Sequence, residues 1–272
     1  LGQFVAAEII IILIINSVEK VIRTIDTIYD VLTALEKIGY VTDLNLDADE
    51  GNALLENDQA LSVKAVDIEF GFPDEKKKIF SNLSFEIPAG EKVIVTGKSG
   101  SGKTLLLQIL AGIYSIEDGE LYINEVPFLN YKRDGLYEKI GMAFPTNQLF
   151  EGTFKENITM GRAVSDKAIS EANRVLGLED YFAHQPQGIN SMIYSEGKQL
   201  PRSIIQKLIM ARIIVNKPGL LLMEDPLQFL NEAEKRRIID FFMAEERSWT
   251  LFVVSDFSYW KEKCNQIINL SK

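Results

Sequence analysis

Gly97-Lys98-Ser99-Gly100-Ser101-Gly102-Lys103-Thr104 is the stretch from which the rest of the chain can be read. It satisfies the pattern G-x-x-x-x-G-K-[ST] at every fixed position. Before it, Lys92-Val93-Ile94-Val95-Thr96 reads as a buried strand, and after it the apolar run Leu105–Ile113 reads as a helix. Strand, glycine loop and helix are the context in which such a loop holds phosphate. Gly97, Gly100 and Gly102 lack a Cβ, so the backbone can curl and aim several N–H groups at one anion. The helix that starts at the loop turns its positive dipole end to the same place. In this pattern Lys103 reaches the β- and γ-phosphates and the Thr104 hydroxyl ligates Mg²⁺. Lys98, Ser99, Ser101 and Leu105 complete the candidate binding segment. The predicted ligand is a nucleoside triphosphate.

A chain of 272 residues holds one large domain or two small ones. Its 46% hydrophobic and 25% charged residues are those of a globular protein. A formal charge of −10 opposes nucleic acid as the main partner, because backbone phosphates want a basic face. The single cysteine, Cys264, excludes an intramolecular disulfide and suits a reducing compartment. With His184 as the only histidine, a histidine-rich metal site is excluded. The chain begins at Leu1 rather than Met, which reads as a fragment or a processed product, and its first residues lack the basic region of a secretory signal.

Residues 4–15 are almost wholly apolar. A membrane-spanning helix needs roughly 20 such residues, so the run is either a core segment or the cut end of a longer span, with Glu8 either a functional intramembrane carboxylate or, as favoured, a residue near the interface. Beyond it, Val18, Val21, Ile25, Ile28, Leu32 and Leu35 recur at gaps of three and four, with charged residues between them. That spacing predicts an amphipathic helix, ended by Gly39. Residues 4–38 read as one long helix of roughly 50 Å leaving a membrane, or as two ordinary packed helices. Residues 43–60, acidic and carrying Asn and Gly, read as a linker.

From residue 61 the period changes to two, and Leu61–Phe70 alternates as a half-exposed strand does. Further strands are expected at 82–87, 119–124, 220–223 and 250–254. Helices are expected within 153–185 and at 203–216 and 231–246, with a turn at Lys217-Pro218-Gly219. Strands alternating with helices indicate an α/β domain with a mostly parallel core sheet.

In this order the motifs resemble the nucleotide-binding domain of an ATP-binding cassette (ABC) transporter of exporter type, preceded by the end of its last transmembrane helix. The resemblance covers residues 62–272 by motif and 1–60 by position and pattern. Phe72, after Phe70-Gly71, stands where the family stacks an aromatic ring on adenine. Leu149-Phe150-Glu151-Gly152-Thr153 resembles the opening of the family's helical subdomain, here about 150–205. The resemblance implies a P-loop NTPase core with an antiparallel β subdomain and a helical subdomain over 61–272. The same resemblance implies residues 1–42 as the helix end and its cytosolic extension. ATP and Mg²⁺ are the implied cofactors. The implied partners are the transmembrane domain of the same transporter and a second cassette, at the cytoplasmic face of a membrane and without nucleic acid.

The sequence also departs from the family pattern. Where the family reads L-S-G-G-Q, this chain reads Leu200-Pro201-Arg202-Ser203-Ile204. Pro201 has no N–H, and Arg202 is too bulky for a close backbone approach. The Asp-Glu pair that follows four apolar residues is reversed to Glu224-Asp225. By resemblance, Glu224 joins Thr104 at Mg²⁺, Asp225 is the base that activates water, and Gln148 is the stand-in for the metal-coordinating glutamine. Asp256 occupies the place of the switch histidine, and Asn231 that of an aspartate in the loop after the carboxylate pair. These departures imply nucleotide binding with slow or absent hydrolysis, and pairing with a different cassette rather than with itself. A regulatory ATP-binding module beside an active partner is the alternative. A soluble ABC protein of DNA repair or translation is disfavoured by residues 4–15 and the negative charge.

Overall fold

The structure is a computed structural model that describes residues 2–43, 51, 59–72, 77–194, 197–245 and 248–270. It divides into two units, residues 1–48 and 49–272. Most of the linker expected over 43–60, and Pro73 directly after Phe72, lie outside the described residues.

The first unit is a single helix, α1 (Gly2–Thr42), as the unbroken apolar-to-amphipathic pattern predicts. Forty-one residues make it about 62 Å long. It does not end at Gly39. That glycine sits inside the last turn, its carbonyl accepting from the Asp43 N–H at 2.8 Å and from the Thr42 hydroxyl. Apolar side chains from Phe4 to Val41 are exposed along it. Among the described residues no helix is long and apolar enough to cross a membrane.

The second unit begins with β1 (Val63–Phe70), β2 (Phe80–Ile87) and β3 (Lys92–Thr96), followed by α2 (Lys103–Leu110), β4 (Asp118–Ile123) and β5 (Val126–Pro127). Next come α3 (Arg133–Glu138), β6 (Ile140–Ala143), β7 (Gly152–Thr153), α4 (Phe154–Thr159), α5 (Asp166–Leu176) and α6 (Glu179–Ala183). The chain then forms β8 (Met192–Ile193), α7 (Arg202–Asn216), β9 (Leu220–Glu224), α8 (Glu232–Met243), β10 (Thr250–Val254), α9 (Ser258–Lys263) and β11 (Gln266–Asn269). The helix expected at 105–113 starts two residues earlier, because the glycine loop feeds straight into it. It stops at Leu110, and Gly112 two residues on takes φ +73°. The helical region expected within 153–185 is three helices, broken where Met160 and Gly177 turn left-handed.

Five strands form a parallel sheet in the order β11-β3-β10-β9-β6. Four others form an antiparallel sheet, β2-β1-β4-β5, and β7 pairs with β8 in a short ribbon. Alternation along the parallel strands divides the core in two. Val93, Val95, Leu220, Leu222 and Phe252 pack with α2 and the antiparallel sheet. Ile94, Leu221, Met223, Leu251 and Val253 pack instead with the helices of the 154–242 region. A sheet covered on both faces explains why its strands read as continuous apolar runs. The C-terminal ends of β3, β6, β9 and β10 then open on one edge, where ligands of open α/β sheets bind.

Candidate functional site

The loop after β3 is shaped by what a side chain would meet. Gly102 precedes α2 with φ +89°, and a Cβ there would come within 2.8 Å of Ile79 Cγ2 and of Phe80 Cζ. A Cβ on Gly97 would lie 2.4 Å from Ser101 Oγ. The loop is folded around its own lysine: Lys103 Nζ donates to the carbonyls of Gly97 at 3.0 Å and Lys98 at 3.1 Å. Among the described residues Ser101 Oγ is buried without a hydrogen-bond partner, so its donor and acceptor capacity is left for a polar group in the loop. The first-turn N–H groups of α2 lack intrahelical acceptors and face the same loop. A cradle closed to side chains at Gly97 and Gly102, an orphaned hydroxyl and a lysine ammonium together fit a polyphosphate. Lys98, Ser99 and Gly100 are exposed on the rim, whereas Leu105 is buried in the core and can offer only its backbone.

Thr104, on the first turn of α2, donates its hydroxyl to Glu224 Oε1 at 2.5 Å. The two residues are 120 apart in sequence, and the sheet brings them together because β3 and β9 both flank β10. A hydroxyl and a carboxylate at this separation form a hard-oxygen pair suited to Mg²⁺, next to the phosphate cradle. Asp225 follows at the strand end with φ +40°, its N–H bonded to Val254 O at 2.8 Å. Both carboxylates line a cleft of about 330 Å³, which α7 and the segment after β6 also border.

Other predicted residues are placed differently. Gln148 is exposed and is absent from the cleft wall, where Asn147 stands. Asn147 is locked there by a two-way bond with Phe144, its side-chain oxygen taking the Phe144 N–H at 2.6 Å. Asp256 is exposed in the loop after β10, two residues past the Val254 carbonyl that holds Asp225. Pro201 caps α7 without a side-chain hydrogen bond, and Arg202 opens the helix with its guanidinium 5.2 Å from the Phe229 ring centre. Asn231 is the N-cap of α8, accepting from the Glu234 N–H at 2.9 Å. Phe72 is 36% exposed and meets Phe70 and Tyr114 edge-on, with centroids 5.3 and 5.8 Å away. Such support holds a ring at a fixed angle while leaving surface free for a base.

Three groups that motif reading missed complete the surroundings. Gln206 on α7 bonds the backbone at Asp225 and at Phe229. Arg212, further along α7, donates to Gln148 O at 2.8 Å, Asn157 O at 2.7 Å and Asn157 Oδ1 at 2.8 Å. Burial pushes its guanidinium below the usual arginine range. Lys207 is buried against Glu234 at 2.6 Å. The only prior signal for these was polar residues recurring on an otherwise apolar helix, which gives no partner.

A family model described as ABC transporter matches residues 80–228. The glutathione/L-cysteine transport system ATP-binding/permease protein CydC of Haemophilus influenzae is 27% identical over 195 residues, covering 71% of this chain and 34% of that protein. The mitochondrial iron-sulfur clusters transporter ATM1 of Candida glabrata is 29% identical over 188 residues, 69% of this chain and 26% of its own length. The chain thus spans about a third or less of these relatives. A solved structure of a bacterial Atm1-family ABC exporter with ATP bound superposes with a TM-score of 0.80 at 24% identity, covering 89% of this chain and 43% of that one. That likeness shows the shared fold.

Proposed function

This chain belongs to the ABC transporter family, and from that premise we propose that it is the ATP-binding cassette of an exporter, binding ATP with Mg²⁺ and turning it over slowly or not at all. The observation that carries the proposal is the meeting of Thr104 with Glu224 beside the loop closed around Lys103. Loop N–H groups and Lys103 hold the phosphates, Phe72 takes the adenine, and Thr104 with Glu224 takes the metal. Bound Mg²⁺ supplies charge neutralisation on the phosphates. Asp225 is the carboxylate that orients or deprotonates the attacking water.

Hydrolysis asks for more than binding, and here the supports are thin. Reversal of the pair leaves each carboxylate one methylene from the family length, and an error of about 1 Å in such positioning costs roughly 10²-fold. Pro201 and Arg202 replace small donors, and Asp256 is exposed where a switch group is expected. Each lost donor typically costs about 10²–10³ in rate, without simple additivity. The chain works at the cytoplasmic face of a membrane with a transmembrane domain and a second, different cassette. Pairing with itself would set Pro201 and Arg202 against both nucleotides.

Steady-state phosphate release by the full chain, alone and mixed with a second cassette of complete motifs, tests this. Expected are tight ATP binding, little release alone and a rise on mixing. Rapid release by the chain alone, at several turnovers per second, would place it among ordinary ATPase subunits.

A further inference from the structure

We propose that Gln206 is a positioning residue that fixes the direction of the Asp225 carboxylate and joins it to the start of α7. The proposal rests on the reading of Asp225 as the group that activates water. Asp225 holds φ +40°, in the left-handed region, which Asp enters more readily than most residues with a side chain but which its neighbours must still hold in place. Three hydrogen bonds to its backbone do so here. Its N–H donates to Val254 O at 2.8 Å, and its carbonyl accepts from Gln206 Nε2 at 3.2 Å and from the Gln228 N–H at 3.3 Å. The first two come from outside the loop, one from β10 and one from α7.

The Gln206 amide is used at both ends. Its Oε1 accepts the Phe229 N–H at 2.9 Å, so one side chain fastens the loop 225–229 at its first and last residues. Arg202, four residues earlier and so on the same face of α7, sets its guanidinium over Phe229. The carboxylate loop is therefore gripped at two levels by the helix that Pro201 opens. Wherever α7 goes, Asp225 follows. An amide is the side chain that can donate to one backbone and accept from another at once; a carboxylate or an aliphatic group of the same size cannot.

The test uses the full chain with Gln206→Leu, which keeps the volume and removes both bonds, and Gln206→Glu, which keeps an acceptor for Phe229 and loses the donor to Asp225. Amide hydrogen exchange reports the loop, and slow phosphate release at varied ATP separates kcat from KM. In Gln206→Leu, exchange at Phe229 should rise about fivefold or more, as expected for one lost bond. Its kcat should fall about tenfold at unchanged KM, the sign of an interaction felt only in the chemical step. Gln206→Glu should restore protection of Phe229 but not kcat. Unchanged kcat in Gln206→Leu, or a KM that rises in step with the loss, overturns the proposal. Asp225→Asn, measured alongside, separates the two readings. If it leaves kcat intact, Asp225 is not the base, while exchange at Phe229 still decides whether Gln206 holds the loop.

Discussion

Lys103 does two things at one position. Its ammonium ties the loop through Gly97 O and Lys98 O, and the same charge is what a bound phosphate would meet. Lys103→Ala removes both, so ATP affinity should fall at least tenfold, about 1.4 kcal/mol. Equal affinity in a calorimetric titration would remove the phosphate-loop assignment. Phe72 is a separate contribution, because Phe70 and Tyr114 fix its ring from the side. Phe72→Ala should lose roughly 1–3 kcal/mol of ATP binding, by analogy with bases stacked on protein rings. Phe72→Tyr should keep it, since it presents the same face. Normal binding by the alanine variant would leave Phe72 as a packing residue of the aromatic trio.

Among the elements, α7 and α8 depend on each other through charge. Asn231 and Glu234 form a capping box at the start of α8, and Glu234 also takes the buried Lys207 of α7 at 2.6 Å. Burial pushes the Glu234 carboxyl up, but the Lys207 hydrogen bond and charge, the Asn231 N–H and Arg237 together bring it below the usual glutamate range. A carboxylate depressed in the folded state contributes stability above its unfolded pKa of about 4.3 and loses it as pH falls through the folded value. Below that ordinary value the unfolded chain binds the extra proton, so stability falls with acid. Lys207→Met should flatten this acid-side slope in denaturant titrations between about pH 5 and pH 3. A slope identical to that of the unmodified chain would show that Glu234 titrates without help from Lys207.

Across the whole molecule, the proposed chemistry depends on four strand ends sharing one sheet edge. Restoring the family order with Glu224→Asp and Asp225→Glu corrects two side-chain lengths but leaves Asp256 and Gln148 as they are. The double variant should therefore stay slow. Adding Asp256→His places a donor on the loop two residues past Val254, whose carbonyl already orients Asp225. The triple variant should gain more than the separate changes sum to, at unaltered ATP affinity, because groups of one site couple. Additive rates from phosphate-release assays would mean that the two loops act independently. Co-purification that returns only a self-paired chain with vigorous activity would equally refute the different-partner proposal.

By itself the sequence determined the glycine loop between β3 and α2, the strands at 92–96 and 250–254 and the α/β class. Each depends on local demands: glycine where a Cβ cannot fit, as at Gly97 and Gly102, and apolar runs where both faces of a sheet are covered. Helix limits were less legible, since Gly39 continues in α1 while Met160 breaks the helical subdomain. Only the tertiary structure decided which polar groups meet. Asn147 rather than Gln148 reaches the cleft, because the turn after β6 closes on Phe144 and directs one side chain inward and the next to solvent. Glu224 finds Thr104 across 120 residues, and Gln206 and Arg212 find their carbonyls through the packing of α7 against two loops. Hydrogen-bond partners far apart in sequence are chosen by sheet order and helix rotation, and those are properties of the packed core, not of any one stretch.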